Sequence, residues 1–173
     1  MAKKRYNVDI LSVSSIEKLK RDLLNYKDNI LQQKVDLLAM RLAEKGVDIA
    51  QINVAKLDAV FTGELISSIH TQYGGSAKGT AIFYVVADSE HAIYVEIGTG
   101  LIGSKSPYPG KLPVMYAQGK TIHKTENGKY GWFYQDDNGN WFFTEGMPSR
   151  PFMYETAMDL HQIVEKTAKE VFG

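Results

Sequence analysis

Apolar residues recurring at alternating three- and four-residue steps over 14–45 constrain this chain more than any other feature. Ile16, Leu19, Leu23, Tyr26, Ile30, Leu37 and Met40 keep the spacing, interrupted only at Gln33. Leu24, Leu31 and Leu38 widen the stripe, and Lys18, Lys20, Arg21, Lys27, Asp28, Gln32 and Lys34 lie between. The pattern predicts an amphipathic helix of about eight turns. Ser14 or Ser15 is placed to cap it and Gly46 to stop it. A helix this long in a chain of 173 residues either lies across a sheet as core or lends part of its stripe to a neighbouring copy, as a near-heptad repeat allows.

The rest of the chain punctuates itself. A second helical piece is expected over 48–59, with Ile49, Ile52, Val54 and Leu57 apolar. Residues 65–73 and 80–87 read as an antiparallel pair of strands, the second β-branched and aromatic. The glycine-rich stretch 74–79 between them predicts a mobile connection longer than a tight turn. Asp88 or Ser89 can cap a short helix over 91–96, which Gly98 and Gly100 end. From 101 to 131 glycine and proline break any long element, predicting a long mobile loop. Trp132, Phe133 and Tyr134 then face Trp141, Phe142 and Phe143 across Asp136, Asp137, Asn138, Gly139 and Asn140. Two aromatic runs around Asn-Gly signal a hairpin over 132–144. Pro151 fits the first position of a C-terminal helix over 151–172. The fold class is α+β: a single domain with a small antiparallel sheet packed by the long N-terminal helix and the C-terminal helix, carrying a loop and hairpin insertion.

Composition bounds the chemistry. Lys+Arg and Asp+Glu both number 20, which argues against a protein devoted to gripping nucleic acid. There is no cysteine, so thiolate metal sites, disulfides and cysteine nucleophiles are excluded. The basic start Lys3, Lys4, Arg5 is followed by no apolar run of signal length, and no stretch has the length of a membrane span. Cytoplasmic synthesis and use are therefore expected, without membrane contact. His70, His91, His123 and His161 do not pair at metal-ligand spacing. Gly98, Gly100 and Gly103 match the glycine spacing of a dinucleotide loop, but in the wrong context for one. No catalytic, cofactor or metal residue emerges. The enzyme alternative rests on His91 with Glu90 or Glu96 as a base–orienter pair, with no identifiable nucleophile.

Glu96 sits among Ile93, Tyr94, Val95 and Ile97. A carboxylate buried on such a segment needs a partner. The first reading is an exposed carboxylate on a surface turn; the runner-up is an ion pair with Arg150 that would pin the Gly98 turn to the start of the last helix. In the aromatic hairpin, alternation sends about half the rings to each face, one filling the core and the other available to a protein partner. Stacking on single-stranded nucleic acid is the rival use, although only Lys129 lies close.

Two segments carry a family likeness. Tyr94-Val95-Glu96-Ile97-Gly98-Thr99-Gly100, and later Pro148-Ser149-Arg150-Pro151-Phe152-Met153 opening a C-terminal helix, resemble in order the head–tail joining or tail-completion proteins of siphovirus-like long-tailed bacteriophages and prophages. The resemblance implies a small α+β fold and a structural, non-catalytic virion protein of the neck or tail. It implies self-assembly into a ring, with a hexamer expected, at the tail's head-proximal end. The implied partners are the tail terminator or tail tube protein below and the head connector or stopper protein above, with passing contact to DNA in the channel. The implied location is the virion, with host cytoplasm during assembly. A tail terminator or another neck connector is the alternative. Tyr94, Glu96, Gly98, Gly100, Arg150, Pro151, Phe152, Trp132 and Trp141 are the structural and interface candidates.

Overall fold

The computed structural model of the protein describes residues 7–59, 63–112, 123–136 and 138–173. The basic start at 3–5, the loop residues 113–122 and Asp137 lie outside them. One helical rod opens the chain: α1 (Val13–Asn25), a π turn (Tyr26–Ile30) and α2 (Leu31–Lys56). Ser12 caps it, rather than Ser14 or Ser15; its hydroxyl accepts from the Ser15 amide at 3.3 Å.

Gly46 does not stop this helix, and the separate piece expected over 48–59 is largely its continuation. A Cβ at Gly46 would lie 2.7 Å from Val85 Cγ2 and 3.1 Å from Leu160 Cδ1. The glycine is there for close approach, since α2 meets a strand and a second helix at this one point. A mid-helix glycine costs about 1 kcal/mol of helix propensity, which the packing it permits must offset. The buried face of α2 is Ala43, Gly46, Ala50, Asn53 and Val54, mostly small residues. Ile52, expected on the apolar face, is 62% exposed, while Asn53 is buried.

The last helix, α6 (Phe152–Phe172), runs antiparallel to α2. Lys34 Nζ donates to the Val171 carbonyl at 3.0 Å, Lys45 Nζ to Thr167 Oγ1 at 3.0 Å, and Asn53 Nδ2 to Thr156 Oγ1 at 3.3 Å. The buried amide of Asn53 therefore has a partner, as a buried polar group requires.

The expected strand 65–73 is half helix. The Ser67 and Ser68 hydroxyls donate to the carbonyls of Glu64 and Leu65 at 2.9 and 2.8 Å. These bonds fasten a short helix, α3 (Glu64–Ser68), because serine competes well for local backbone acceptors. Strand β1 (Ile69–Ala77) pairs antiparallel with β2 (Thr80–Ala87). The connection 74–79 is not the long mobile loop the glycines suggest. Pairing continues to Ala77 and Thr80, leaving Lys78 and Gly79 as a two-residue turn with φ of 36° and 85°. Positive φ at both positions is the turn that matches strand twist. Gly74 falls at an irregularity in register between Tyr73 and Gly75, where a Cβ would strike Ile82. The tip is fastened to the rod: the Gly79 amide donates to Gln32 Oε1 at 2.5 Å and the Ser76 hydroxyl to Asp36 Oδ1 at 2.6 Å.

Two short helices follow, α4 (Ala92–Ile97) and α5 (Gly100–Lys105). The first lies where it was expected, but His91 rather than Asp88 or Ser89 is its N-cap and no side chain caps it; the Ser89 hydroxyl instead accepts from the His91 amide at 3.3 Å in the turn before it. The second replaces the opening of the expected loop. Strands β3 (Trp132–Gln135) and β4 (Trp141–Thr144) form the expected hairpin, and a short strand β5 (Gly146–Met147) precedes α6. The core gathers Ala50 and Val54 of α2, Leu65, Ile69, Ala92 and Phe152. The result is the α+β arrangement of two long helices with a small antiparallel sheet and an inserted second hairpin.

Replacing Gly46 by Val should lower unfolding stability by about 2 kcal/mol, the usual cost of forcing a side chain into a packed interior. Urea titration should show a lower midpoint with the slope unchanged; an unaltered midpoint would mean that α2 does not approach β2 and α6 this closely.

Candidate functional site

The two segments that carry the family likeness cross each other in space. Residues Thr99 and Met147 form a β-bridge, as do Gly100 and Gly146, and the Met147 amide donates to Thr99 Oγ1 at 3.2 Å. Three glycines make the crossing possible. Gly98, at φ 81°, leaves room for Ser149 N, which a Cβ would approach to 2.5 Å. Gly100, at φ 63°, lies against the Glu145 carbonyl and beside the Trp132 ring. A Cβ at Gly103 would lie 2.8 Å from Gly98 C. The Gly98, Gly100, Gly103 spacing thus serves backbone-to-backbone packing.

The chain then turns into α6 through Pro151. The Phe152 amide donates to the Arg150 carbonyl at 2.8 Å around Pro151, at φ −79° and ψ 61°. This is an inverse γ-turn, whose φ proline presets. Pro151 is the N-cap rather than the first helical residue. Phe152 drives into the core with no exposed surface. A proline N-cap has no side chain to satisfy the first amides of the helix, which normally take a Ser, Thr, Asp or Asn oxygen.

Glu96 supplies what Pro151 lacks. The Met153 amide donates to Glu96 Oε2 at 2.9 Å and the Tyr154 amide to Glu96 Oε1 at 3.0 Å. Both carboxylate oxygens therefore sit on the amides of a helix start, where the helix dipole also favours negative charge. The backbone adds two bonds: Ser149 Oγ donates to the Glu96 carbonyl at 2.7 Å, and the Arg150 amide to the Val95 carbonyl at 2.9 Å. Glu96 is thus neither the exposed surface carboxylate of the first reading, being half-buried, nor the ion-pair partner of the second. Among the described residues no ion pair joins Glu96 to Arg150, because the helix amides already occupy the carboxylate.

Burial raises the Glu96 pKa above the ordinary value of 4.5, outweighing the two amide bonds and a bond from the Tyr108 hydroxyl that pull it down; the nearby Glu155 adds to the rise. Tyr108 is itself raised, first by burial and then by Glu96, and its ring meets Tyr154 edge-on at 5.9 Å. Tyr108 and Ser149 escape a reading of sequence alone. Tyr108 stands between two prolines in an irregular stretch, and its aromatic character there is the only signal it gives.

His91 and Glu96 are not brought together as an acid–base pair. Five residues apart on one helical segment, they lie about 140° apart around its axis. Among the described residues, no group of three or more His, Asp or Glu is placed to hold a metal ion, and no helix is long and apolar enough to cross a membrane.

The aromatic hairpin behaves differently from expectation. Neither face fills the core. Phe133 is 61% exposed and Trp141 66%, and they share a face with Phe143, which meets Phe133 edge-on at 5.2 Å. On the other face Tyr134 stacks on Phe142 at 5.7 Å, and Trp132 is half-buried, edge-on to His123 at 5.9 Å. Asp136 forms the turn, as expected of it, accepting from the Asn138 and Asn140 amides at 3.0 and 2.8 Å. These bonds hold its carboxyl below the ordinary aspartate value. Tyr94 is 43% exposed, on the outer side of α4.

Glu96→Ala should cost about 2 kcal/mol in urea unfolding, the scale of a lost helix cap with charge-assisted bonds, and Glu96→Gln about 1 kcal/mol or less. The pH dependence has a definite sign. The folded protein holds the Glu96 proton more tightly than the unfolded chain does, so this group favours folding most at pH below 4.5. That contribution is lost as pH rises through the raised value. The stability of the parent chain relative to Glu96→Gln should therefore fall as pH rises from below 4.5 toward neutrality; a rising difference would contradict the burial of Glu96.

No family model matches this chain, and no curated protein or solved structure does.

Proposed function

We propose that this chain is a structural virion protein of a long-tailed bacteriophage, forming a ring at the head-proximal end of the tail that completes the tail and joins it to the head. The observation that carries the reading is the Glu96 joint. The segments 94–100 and 148–153, whose order resembles the head–tail joining and tail-completion proteins, are bonded to each other through Glu96, Ser149 and Arg150. Their pattern thus has a structural reason: Glu and two glycines on one side, proline and a buried Phe on the other, are what the crossing needs. A joint of this kind holds the base of the 101–145 insertion, so the insertion can present rings outward without disturbing the core. Exposed aromatic surface of that sort fits protein partners. Those partners are the tail tube or terminator protein on one side and the head connector on the other.

Electron microscopy of virions should find this chain as a ring at the neck, and particles made without it should separate into filled heads and free tails. A ring at the distal tail, or presence in infected cells but never in particles, would refute the proposal. Density directly capping the tail tube with no contact to the connector would make it the terminator.

A further inference from the structure

Residues 106–112 lead out of α5 into the insertion, and Tyr108 ties them to the body. Ser106 caps α5, and Pro107 and Pro109 flank Tyr108. Proline fixes its own φ and holds the residue before it extended, so the stretch from Ser106 to Pro109 is a stiff arm. The chain then folds back over the Tyr108 ring: a Cβ at Gly110 would lie 2.5 Å from Tyr108 Cε1. The same ring meets Tyr154 of α6 edge-on at 5.9 Å, and its hydroxyl donates to the Glu96 carboxylate. On a stiff arm these two contacts decide where the segment lies. The carboxylate is a shared acceptor. The Met153 and Tyr154 amides reach it at 2.9 and 3.0 Å from fixed positions at a helix start, whereas Tyr108 reaches it from a segment outside the core. A hydrogen bond to an ionised acceptor is roughly twice as strong as one to a neutral acceptor. When Glu96 gains a proton, the amides are held by their helix and Tyr108 is the donor that loses its hold.

We propose that Tyr108 is a proton-gated latch, holding the 106–112 arm on the Glu96 joint while Glu96 is ionised and releasing the arm when Glu96 takes up a proton. Linkage gives the sign. The Tyr108 bond pulls the Glu96 pKa down, so a docked arm favours the ionised carboxylate and ionisation favours a docked arm. Burial more than offsets that pull, which brings the release nearer to neutral pH than an ordinary glutamate would. Falling pH therefore acts in opposite senses on two parts of the molecule: it relieves the buried charge of the joint and frees the arm. The other charged group that bears on Glu96 is Glu155 of α6, itself 3.7 Å from Lys56 of α2. Among the described residues Arg150 makes no ion pair with Glu96, and His91 lies about 140° away around the α4 axis. The latch stands on the joint alone and is independent of the neck reading.

The chain has no cysteine, so Lys111→Cys, at an exposed position of the arm, gives the full-length protein a single site for a nitroxide spin label. Electron paramagnetic resonance should show a restricted label at about pH 7.5 and a mobile fraction at least threefold larger at about pH 4. The midpoint of that change should coincide with the Glu96 side-chain titration followed by carbon NMR. Tyr108→Phe keeps the ring and removes the donor. At neutral pH its label should already be as mobile as the parent's in acid, and its Glu96 should titrate at a higher pH than the parent's. In Glu96→Gln the mobile fraction should be high and independent of pH. A parent label of constant mobility throughout the Glu96 titration would overturn the proposal. So would a pH response that survives in Glu96→Gln, or a Glu96 titration unmoved by Tyr108→Phe. The Tyr108→Phe label is read at neutral pH, where acid unfolding plays no part, and a label as restricted there as the parent's would also overturn it.

Discussion

A helix that begins at a proline-capped turn starts with amides that no neighbouring side chain can serve, and here a carboxylate 57 residues earlier serves two of them. Much of the molecule depends on that substitution. The amides gain acceptors and Glu96 gains donors, so two groups that would each be costly to bury alone become affordable together. Because the bond joins α4 to the first turn of α6, it also fixes where Phe152 enters the core. The antiparallel packing of α6 on α2 follows from that entry point. Small residues on α2 then let the helices and the β1–β2 hairpin close around Gly46.

The same joint separates two regimes along the chain. Between Glu96 and Ser149 the backbone leaves the body, builds α5 and the aromatic hairpin, and returns to the place it left. Loop-closure cost grows only slowly with length, so an excursion closed at its base can be long without destabilising what lies beneath. Its rings find partners mainly in each other: Phe133 with Phe143, Tyr134 with Phe142. An isolated two-stranded hairpin is marginal in water, and these cross-strand pairs with the Asp136 turn are what hold this one.

What the sequence disclosed follows from which forces are local. Helical periodicity, the Asn-Gly turn and the C-terminal helix are local patterns, and the structure has them. Gly46 misled because a glycine chosen for close approach looks identical to one chosen to end a helix; its reason lies in Val85 and Leu160, far away in sequence. The stripe through Met40 overstated large residues, since the packed face of α2 is Ala43, Gly46 and Ala50. The stretch 74–79 looked loose because a bulge and a two-residue turn both use glycine. Glu96 was legible as a group needing a partner, but the partner was two backbone amides, which no residue identity reveals. The aromatic runs revealed a hairpin and not its exposure, because alternation fixes which rings share a face and not what the face meets.

The π turn at Tyr26–Ile30 has a geometric meaning of its own. One additional residue in a helical turn advances the phase by about 100°, so the side chains before and after it are indexed to different directions while the axis stays continuous. The rod therefore works as an axle with two keyways: α2 is cut to fit the body, and α1 is cut at another angle. Any single-residue insertion or deletion between them would turn the outer stripe to a new bearing and leave the inner fit as it was.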